Sequence, residues 1–362
     1  MHLRYLVFIG GLAGVLSLAP ERAASQTPPV NAKPKAATAG KPAGKPAGKH
    51  WTLPRTIDGQ PDLQGVWSNN NATPLQRPKA LAGRTKLTDD EVTALKKKAK
   101  EFFETGGDAE FGDSVFEAVL ANVKSGESGP HKRDEKGFDG DTGDYNTAWI
   151  VERDWDNRTS LITDPADGLL PPMTPEAKQR QVAAAVARDR TPTGPEDRGL
   201  SERCISFGSP RLLAGYDSYY QIVQSRNSVA IATEQIHDVR IIPLDGNPHP
   251  PSTVQTWLGD SRGHWEGDTL VVDTTNYKAG AFMNATEKLH TIERFKRTSS
   301  GVVEYAITID DPATWTKPWS VMIPLHHTDE LVYEYACHEG NIAMMGILKG
   351  ARLQEAAAAA KK

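Results

Sequence analysis

The chain has 362 residues, 38% hydrophobic and 24% charged, with 31 Gly and 25 Pro, which describes a loop-rich globular protein and excludes one disordered throughout. Its formal charge of -4 is unevenly placed: residues 1–25 carry +1 and residues 26–50, with five lysines and no acid, carry +5, which leaves -10 on residues 51–362. A body of that sign lacks the basic surface that phosphate backbones require, so nucleic acid is excluded as a partner.

Residues 1–25 combine a basic start at Arg4, an apolar run from Leu6 to Ala19, and the small residues Ala23-Ala24-Ser25. These are the three parts of a secretory signal, and cleavage after Ser25 leaves Gln26 first. The competing description, a buried N-terminal helix, is opposed by Gly10, Gly11 and Gly14. No Cys stands near the cut to take a lipid, and no twin-arginine pair marks export in a folded state. The expected location is the periplasm or the exterior. No apolar run long enough to span a bilayer follows the first 20 residues. Residues 26–50 hold the near-repeat Gly40-Lys-Pro-Ala-Gly-Lys-Pro-Ala-Gly-Lys49 and read as a disordered basic linker.

Residues 51–200 read as a loop-rich segment with two or three helices. Leu63 to Trp67 fits one short strand among many breakers. Thr88, with Glu91 three residues on, is a capping box, and Asp89–Glu104 then places Val92, Leu95, Ala99, Phe102 and Phe103 along one stripe. Phe111–Val123 is a second helix candidate, and residues 124–147 read as a surface loop. Within that loop Asp139-Gly-Asp-Thr-Gly-Asp144 has the look of a calcium loop, but its twelfth position is Ile150 instead of a bidentate acid. Arg158–Ile162 fits a short strand, and Thr174-Pro175 starts a helix over Glu176–Arg190.

After Cys204 the apolar pattern changes from helical to alternating. Strands are expected at Tyr219–Val223, Ser228–Thr233, Asp238–Ile242, Thr269–Thr275, His290–Arg297, Val302–Ile309, Trp319–Leu325 and Val332–Cys337. Tight links and the lack of helical crossovers exclude a doubly wound parallel sheet. The expected class is α+β, with an antiparallel β-meander over 201–352 forming a barrel or a sandwich, and a frayed tail over 353–362.

Four strings carry a resemblance. They are Arg55-Thr-Ile-Asp-Gly-Gln-Pro-Asp-Leu-Gln-Gly-Val-Trp67, Arg158-Thr-Ser-Leu-Ile-Thr-Asp-Pro165, Gly263-His-Trp-Glu-Gly-Asp-Thr-Leu-Val-Val-Asp-Thr-Thr-Asn276 and Tyr333-Glu-Tyr-Ala-Cys-His-Glu-Gly-Asn341. Over about residues 51–352 the chain resembles a large uncharacterised family of exported bacterial proteins. The resemblance implies export and carries over no activity or catalytic residue. Separately, Gly65-x-Trp67 is similar to the Gly-x-Trp opening of calycin barrels, and Gly263-x-Trp265 has the same spacing.

Two cysteines remain after the signal, Cys204 and Cys337. In an oxidising compartment an even pair reads as a disulfide, the alternative being two buried thiols. Seven of the ten histidines follow residue 230, several beside carboxylates, as in Glu234-Gln-Ile-His-Asp238 and Cys337-His-Glu339. Imidazole with a carboxylate is what proton transfer near neutral pH requires, although each such His also serves as a strand-end hydrogen-bonding group. If Val239 and Ile241 face the core, His237 turns inward with them. If the last strand bridges through Cys337 on its core side, Tyr335 and Glu339 face a cavity and His338 its rim. The candidate catalytic residues are therefore His237, His338, Glu339 and Tyr335. Trp257 and Trp265, with Asp238 and Arg240, are the candidate ligand-binding residues, since aromatics beside polar groups line sites for sugars and aromatic rings. No metal motif, Gly-x-Ser-x-Gly, phosphate loop or dinucleotide fingerprint is present, and the sequence names no cofactor. The expected function is binding of a small carbohydrate-like or aromatic ligand in the β domain, with acid–base elimination or hydrolysis. The rivals are a non-catalytic periplasmic carrier and an envelope protein-interaction module.

Overall fold

The computed structural model describes residues 51–104, 116–117, 119–121, 153–212 and 218–361. The secretory signal, the basic linker, the loop over 124–147 and most of the helix expected over Phe111–Val123 lie outside the described residues.

Ten strands build one sheet: β1 (Gly65–Ser68), β2 (Ile162–Asp164), β3 (Tyr219–Gln224), β4 (Ser228–Thr233), β5 (Val239–Pro243), β6 (Asp260–Glu266), β7 (Thr269–Thr275), β8 (His290–Ser299), β9 (Val302–Asp310) and β10 (Trp319–Thr328). The order is β5-β4-β3-β1-β10-β9-β8-β7-β6, with β2 paired to β10 beside that path, and every neighbouring pair is antiparallel. The class is α+β, as expected. Among the described residues β5 and β6 are the two ends of the path and no ladder joins them, so the sheet is not a closed barrel.

Burial alternates along the strands, and the buried set defines the inner face. On β9 these residues are Val303, Tyr305, Ile307 and Ile309, and on β10 Trp319, Val321, Ile323 and Leu325. Each large apolar side chain moved from water to this interior contributes about 1.5–3 kcal/mol. Phe295 stacks on Tyr305 with ring centres 4.3 Å apart. Tyr220 of β3 meets Tyr305 of β9 at 6.4 Å although β1 and β10 lie between them in the sheet. A flat sheet cannot make that contact. The sheet therefore curls, bringing β5 and β6 to face each other across an open seam. There Gly263 of β6 has no room for a side chain, because a Cβ would lie 2.7 Å from both Ile242 and Leu244.

The helices sit beside the sheet. Helix α1 (Asp89–Glu104) opens on the capping box, with Thr88 N–H donating to Glu91 Oε2 at 2.8 Å and Glu91 N–H to Thr88 Oγ1 at 3.2 Å. Its Leu95 and Ala99 join Leu81, Leu87, Phe116 and Val119 in a second small core. Helix α2 (Pro175–Arg188) is capped by Thr174, which accepts from Ala177 N–H at 3.1 Å.

Three expectations are corrected. Val332–Cys337 is not a strand: Tyr333 N–H donates to Glu234 Oε1 at 2.7 Å instead of to a ladder, and Cys337 opens the short helix α3 (Cys337–Gly340). The tail after Arg352 is helical, since α4 runs over Ile342–Ala359 and its alanines are the best helix formers. No strand is expected between Asp238–Ile242 and Thr269–Thr275, yet β6 lies there, its pattern masked by Gly263 and the charged outer residues Arg262, His264 and Glu266.

Cys204 and Cys337 lie at disulfide distance, with sulfurs 2.01 Å and Cα atoms 5.7 Å apart. They join the segment ahead of β3 to α3 across 133 positions. In the chain-entropy account such a closure contributes about 4–5 kcal/mol, with real bridges often below that. Alkylation of the denatured, unreduced protein is expected to add no mass, and reduction to lower the melting temperature by several degrees. Two labelled thiols in the unreduced sample contradict the bridge.

Candidate functional site

β5 begins directly after a 3-10 turn at Gln235–His237, in which Ile236 and His237 hold positive φ (57° and 45°). That turn decides which residues of β5 face inward. Ile242 is buried and Arg240 points inside, whereas Val239 and Ile241 are exposed. The inward parity expected for Val239, Ile241 and His237 is therefore reversed, and His237 is exposed. The physical reason is the interior partner waiting for Arg240.

That partner is Glu293 of β8, completely buried on the same face as Thr291 and Phe295. Arg240 grips it with both ends of the guanidinium, Nη1 to Oε2 at 2.5 Å and Nη2 to Oε1 at 2.8 Å. Tyr305 O–H donates to Glu293 Oε1, and Tyr277 O–H shares a hydrogen bond with Thr291 Oγ1 at 2.8 Å. Burial opposes the charge on Arg240, but the attraction and hydrogen bonds of Glu293 outweigh it and raise its pKa above the ordinary arginine value. Burial, then the negative charge of Glu293, pushes the Tyr305 hydroxyl well above the usual tyrosine range. The interior of the curl is thus filled by apolar side chains and one closed polar network. Among the described residues the cavity beside Arg240, Tyr220 and Tyr305 is about 20 Å³, too small for a ligand.

The opening lies at the seam. A cleft of about 370 Å³ is lined by Asp238, Arg240 and Ile241 on the β5 side, by Asp260 and Ser261 on β6, and by Trp257 from the connecting loop. Three of the four candidate ligand-binding residues, Trp257, Asp238 and Arg240, therefore meet in one place. The fourth, Trp265, is half-buried against the core and does not line the cleft. Lys278 Nζ stands 4.9 Å over the Trp257 ring and fixes its plane. Asp238 accepts from Ser206 Oγ at 2.8 Å. Burial raises its carboxyl above the ordinary aspartate range, against the hydrogen bonds of Ser206 and the Phe207 backbone and the positive charge of Arg211. A half-buried carboxyl with a raised pKa beside an indole face is suited to exchange protons with a bound ring.

The candidate catalytic residues do not converge. His237 is exposed, as are His338 and Glu339 on α3. Tyr335 is half-buried and lines a separate cavity of about 870 Å³ under α4, with the cysteine pair and Glu234. Because the segment is not a strand, the expected alternation of Tyr335 and Glu339 against His338 does not arise.

Sequence reasoning missed an outer-face cluster behind the cleft. His249 Nδ1 lies 2.7 Å from Asp260 Oδ1 and its Nε2 lies 3.1 Å from Asp273 Oδ1, while His290 Nε2 lies 3.0 Å from the same Asp273 oxygen. Burial works against the Asp260 charge, but Arg262 and His249 outweigh it and hold the carboxyl below its ordinary range. The cluster pins the proline-rich loop that carries Trp257 to the back of β6 and β7. Among the described residues no group of three or more His, Cys, Asp or Glu is arranged to hold a metal ion. Glu293 and Tyr305 carried a signal, since both share strand parity with apolar neighbours. Asp260 carried none while β6 was unassigned.

Comparison of the chain with family models, with characterised proteins and with solved structures returns no match. The site is therefore read from its own geometry.

The raised pKa of Asp238 has a definite sign for stability. A carboxyl that titrates higher in the fold than in the open chain favours the fold while protonated, and that contribution is lost as pH rises through the folded pKa. Asp238→Asn, which cannot ionise, is expected to melt above the wild type at about pH 7, with the gap closing toward about pH 3.5. A variant that melts lower at neutral pH contradicts the burial account.

Proposed function

We propose that the protein is an exported small-molecule binder that takes a carbohydrate-like or aromatic ring into the seam cleft, with Asp238 as the acid–base group that supports elimination or hydrolysis there. The observation that carries this reading is the meeting of Asp238, Arg240 and Trp257 in one cleft of about 370 Å³ at the open seam. Its size lies within the range of small-ligand sites, and its mix of one indole face with a few polar groups is the usual lining of a ring-binding site. Trp257 supplies the stacking surface, and Ser206 holds the Asp238 carboxyl in place at 2.8 Å. Arg240, locked by Glu293, gives the cleft a fixed wall. Export is supported by the signal-like residues 1–25 and by the cysteine pair at bonding distance.

Tryptophan fluorescence titrated with a panel of envelope-derived glycans and neutral phenols tests the binding. A panel member is expected to quench the wild type, and Trp257→Ala to weaken its binding by about tenfold or more. Asp238→Asn is expected to keep binding while turnover of that ligand falls by about 10²-fold. A ligand that is bound but never converted by the wild type removes the acid–base role and leaves a carrier. Binding unaffected by Trp257→Ala removes the cleft.

A further inference from the structure

The loop Ile205–Leu212 separates the seam cleft from a second pocket. This pocket has a volume of about 430 Å³ and shares only Ser206 with the cleft. Its lining is mixed: Leu75, Leu200, Phe282 and the exposed Met283 supply apolar surface, and Ser201, Ser206 and Asn284 polar groups. Phe207 and Arg211 close one end, with Arg211 Cζ 5.1 Å above the Phe207 ring.

The state of Arg211 is what makes this pocket informative. Arg240 spends its whole fork on Glu293. Arg211 is half-buried, yet among the described residues its guanidinium makes no hydrogen bond or ion pair: it stacks on Phe207 and acts on Asp238 and Tyr220 through its charge alone. Stacking satisfies the face of a guanidinium and leaves its edge, with the N–H donors, unused. A carboxylate matches that edge with two parallel hydrogen bonds.

The backbone around the pocket takes the left-handed region at three positions. Gly208 has a φ of +84°, and any Cβ there would strike the carbonyl oxygen of Ala281. Met283 and Asn284 on the facing turn hold φ of 43° and 58°, a region that non-glycine residues adopt only where the surroundings impose it.

We infer that this pocket is a second ligand site, that Arg211 is its anion-recognising residue, and that its ligand class is a carboxylate carried on an apolar, planar ring. The inference goes beyond the seam-cleft reading and does not rest on it, since the two cavities share only Ser206 and Arg211 does not line the cleft. A recess this small fits a small aromatic acid and not a protein segment.

Isothermal titration of the full chain with cinnamate and with its neutral isostere cinnamamide tests the assignment. Cinnamate is expected to bind the wild type at least about tenfold more tightly than the amide. Arg211→Gln is expected to lose at least about tenfold in cinnamate affinity with little change in melting temperature, and Arg211→Lys, which keeps the charge without the fork, to fall between them. Trp257→Ala is expected to leave cinnamate binding as it was. Failure of cinnamate to bind, equal affinity for acid and amide, or unchanged binding in both Arg211 variants overturns the inference. Loss of binding in Trp257→Ala but not in Arg211→Gln also overturns it, by placing the acid in the seam cleft and leaving that reading intact.

Discussion

A single buried ion pair organises the β half of this protein. Arg240 and Glu293 belong to β5 and β8, which are separated along the hydrogen-bonded path by five strands (β4, β3, β1, β10 and β9). Their meeting requires the sheet to roll until its inner faces oppose each other. Removing two charges from water is costly, and only bidentate geometry with further hydrogen bonds to the same carboxylate compensates. Tyr305 supplies one such bond from β9. Because removal of either charge strands the other in a dry interior, the pair makes one register of β5 far better than its neighbours. It thereby decides that Arg240 points in and that Val239 and Ile241 point out.

The location of the cleft follows from that interior. With the interior filled by apolar side chains and the Arg240–Glu293 pair, the ligand site falls at the open edge of the sheet. Here the unpaired edges of β5 and β6 leave the opening, and the missing side chain at Gly263 lets them approach closely below it. An edge strand is ordinarily exposed to unwanted pairing. In this chain each unpaired edge faces the other, with Trp257 and its loop covering part of the gap. The outer His249, Asp260, Asp273 and His290 cluster fastens that loop from behind.

The fold was largely legible from residue patterns, and the reasons for the misses are local. β3, β4, β7, β8, β9 and β10 announced themselves by alternation, and the capping residues Thr88 and Thr174 marked two helix starts. β6 was hidden because its inner positions are Ser261, Gly263 and Trp265, two of them small and one polar. The segment Val332–Cys337 alternates like a strand, but no sheet edge is offered to it, since Glu234 and the Cys204 bond draw it away. Trp257, Asp238 and Arg240 could be picked out by residue type and brought together only by the fold. His338 and Glu339 had the right chemistry and the wrong element beneath them. Glu293 was legible in principle, as an acid at the inward parity of a strand otherwise buried by Thr291 and Phe295.

The dependence of the curled sheet on one ion pair is open to direct measurement by a double-mutant cycle on unfolding free energy, using Arg240→Met, Glu293→Gln and the two together. Each single change is expected to cost about 3–5 kcal/mol, because it leaves an uncompensated buried group. The double variant is expected to cost no more than the larger single change, which is the signature of strong coupling. Single costs below about 1 kcal/mol, or costs that simply add in the double variant, would show that the sheet holds its curl without the pair.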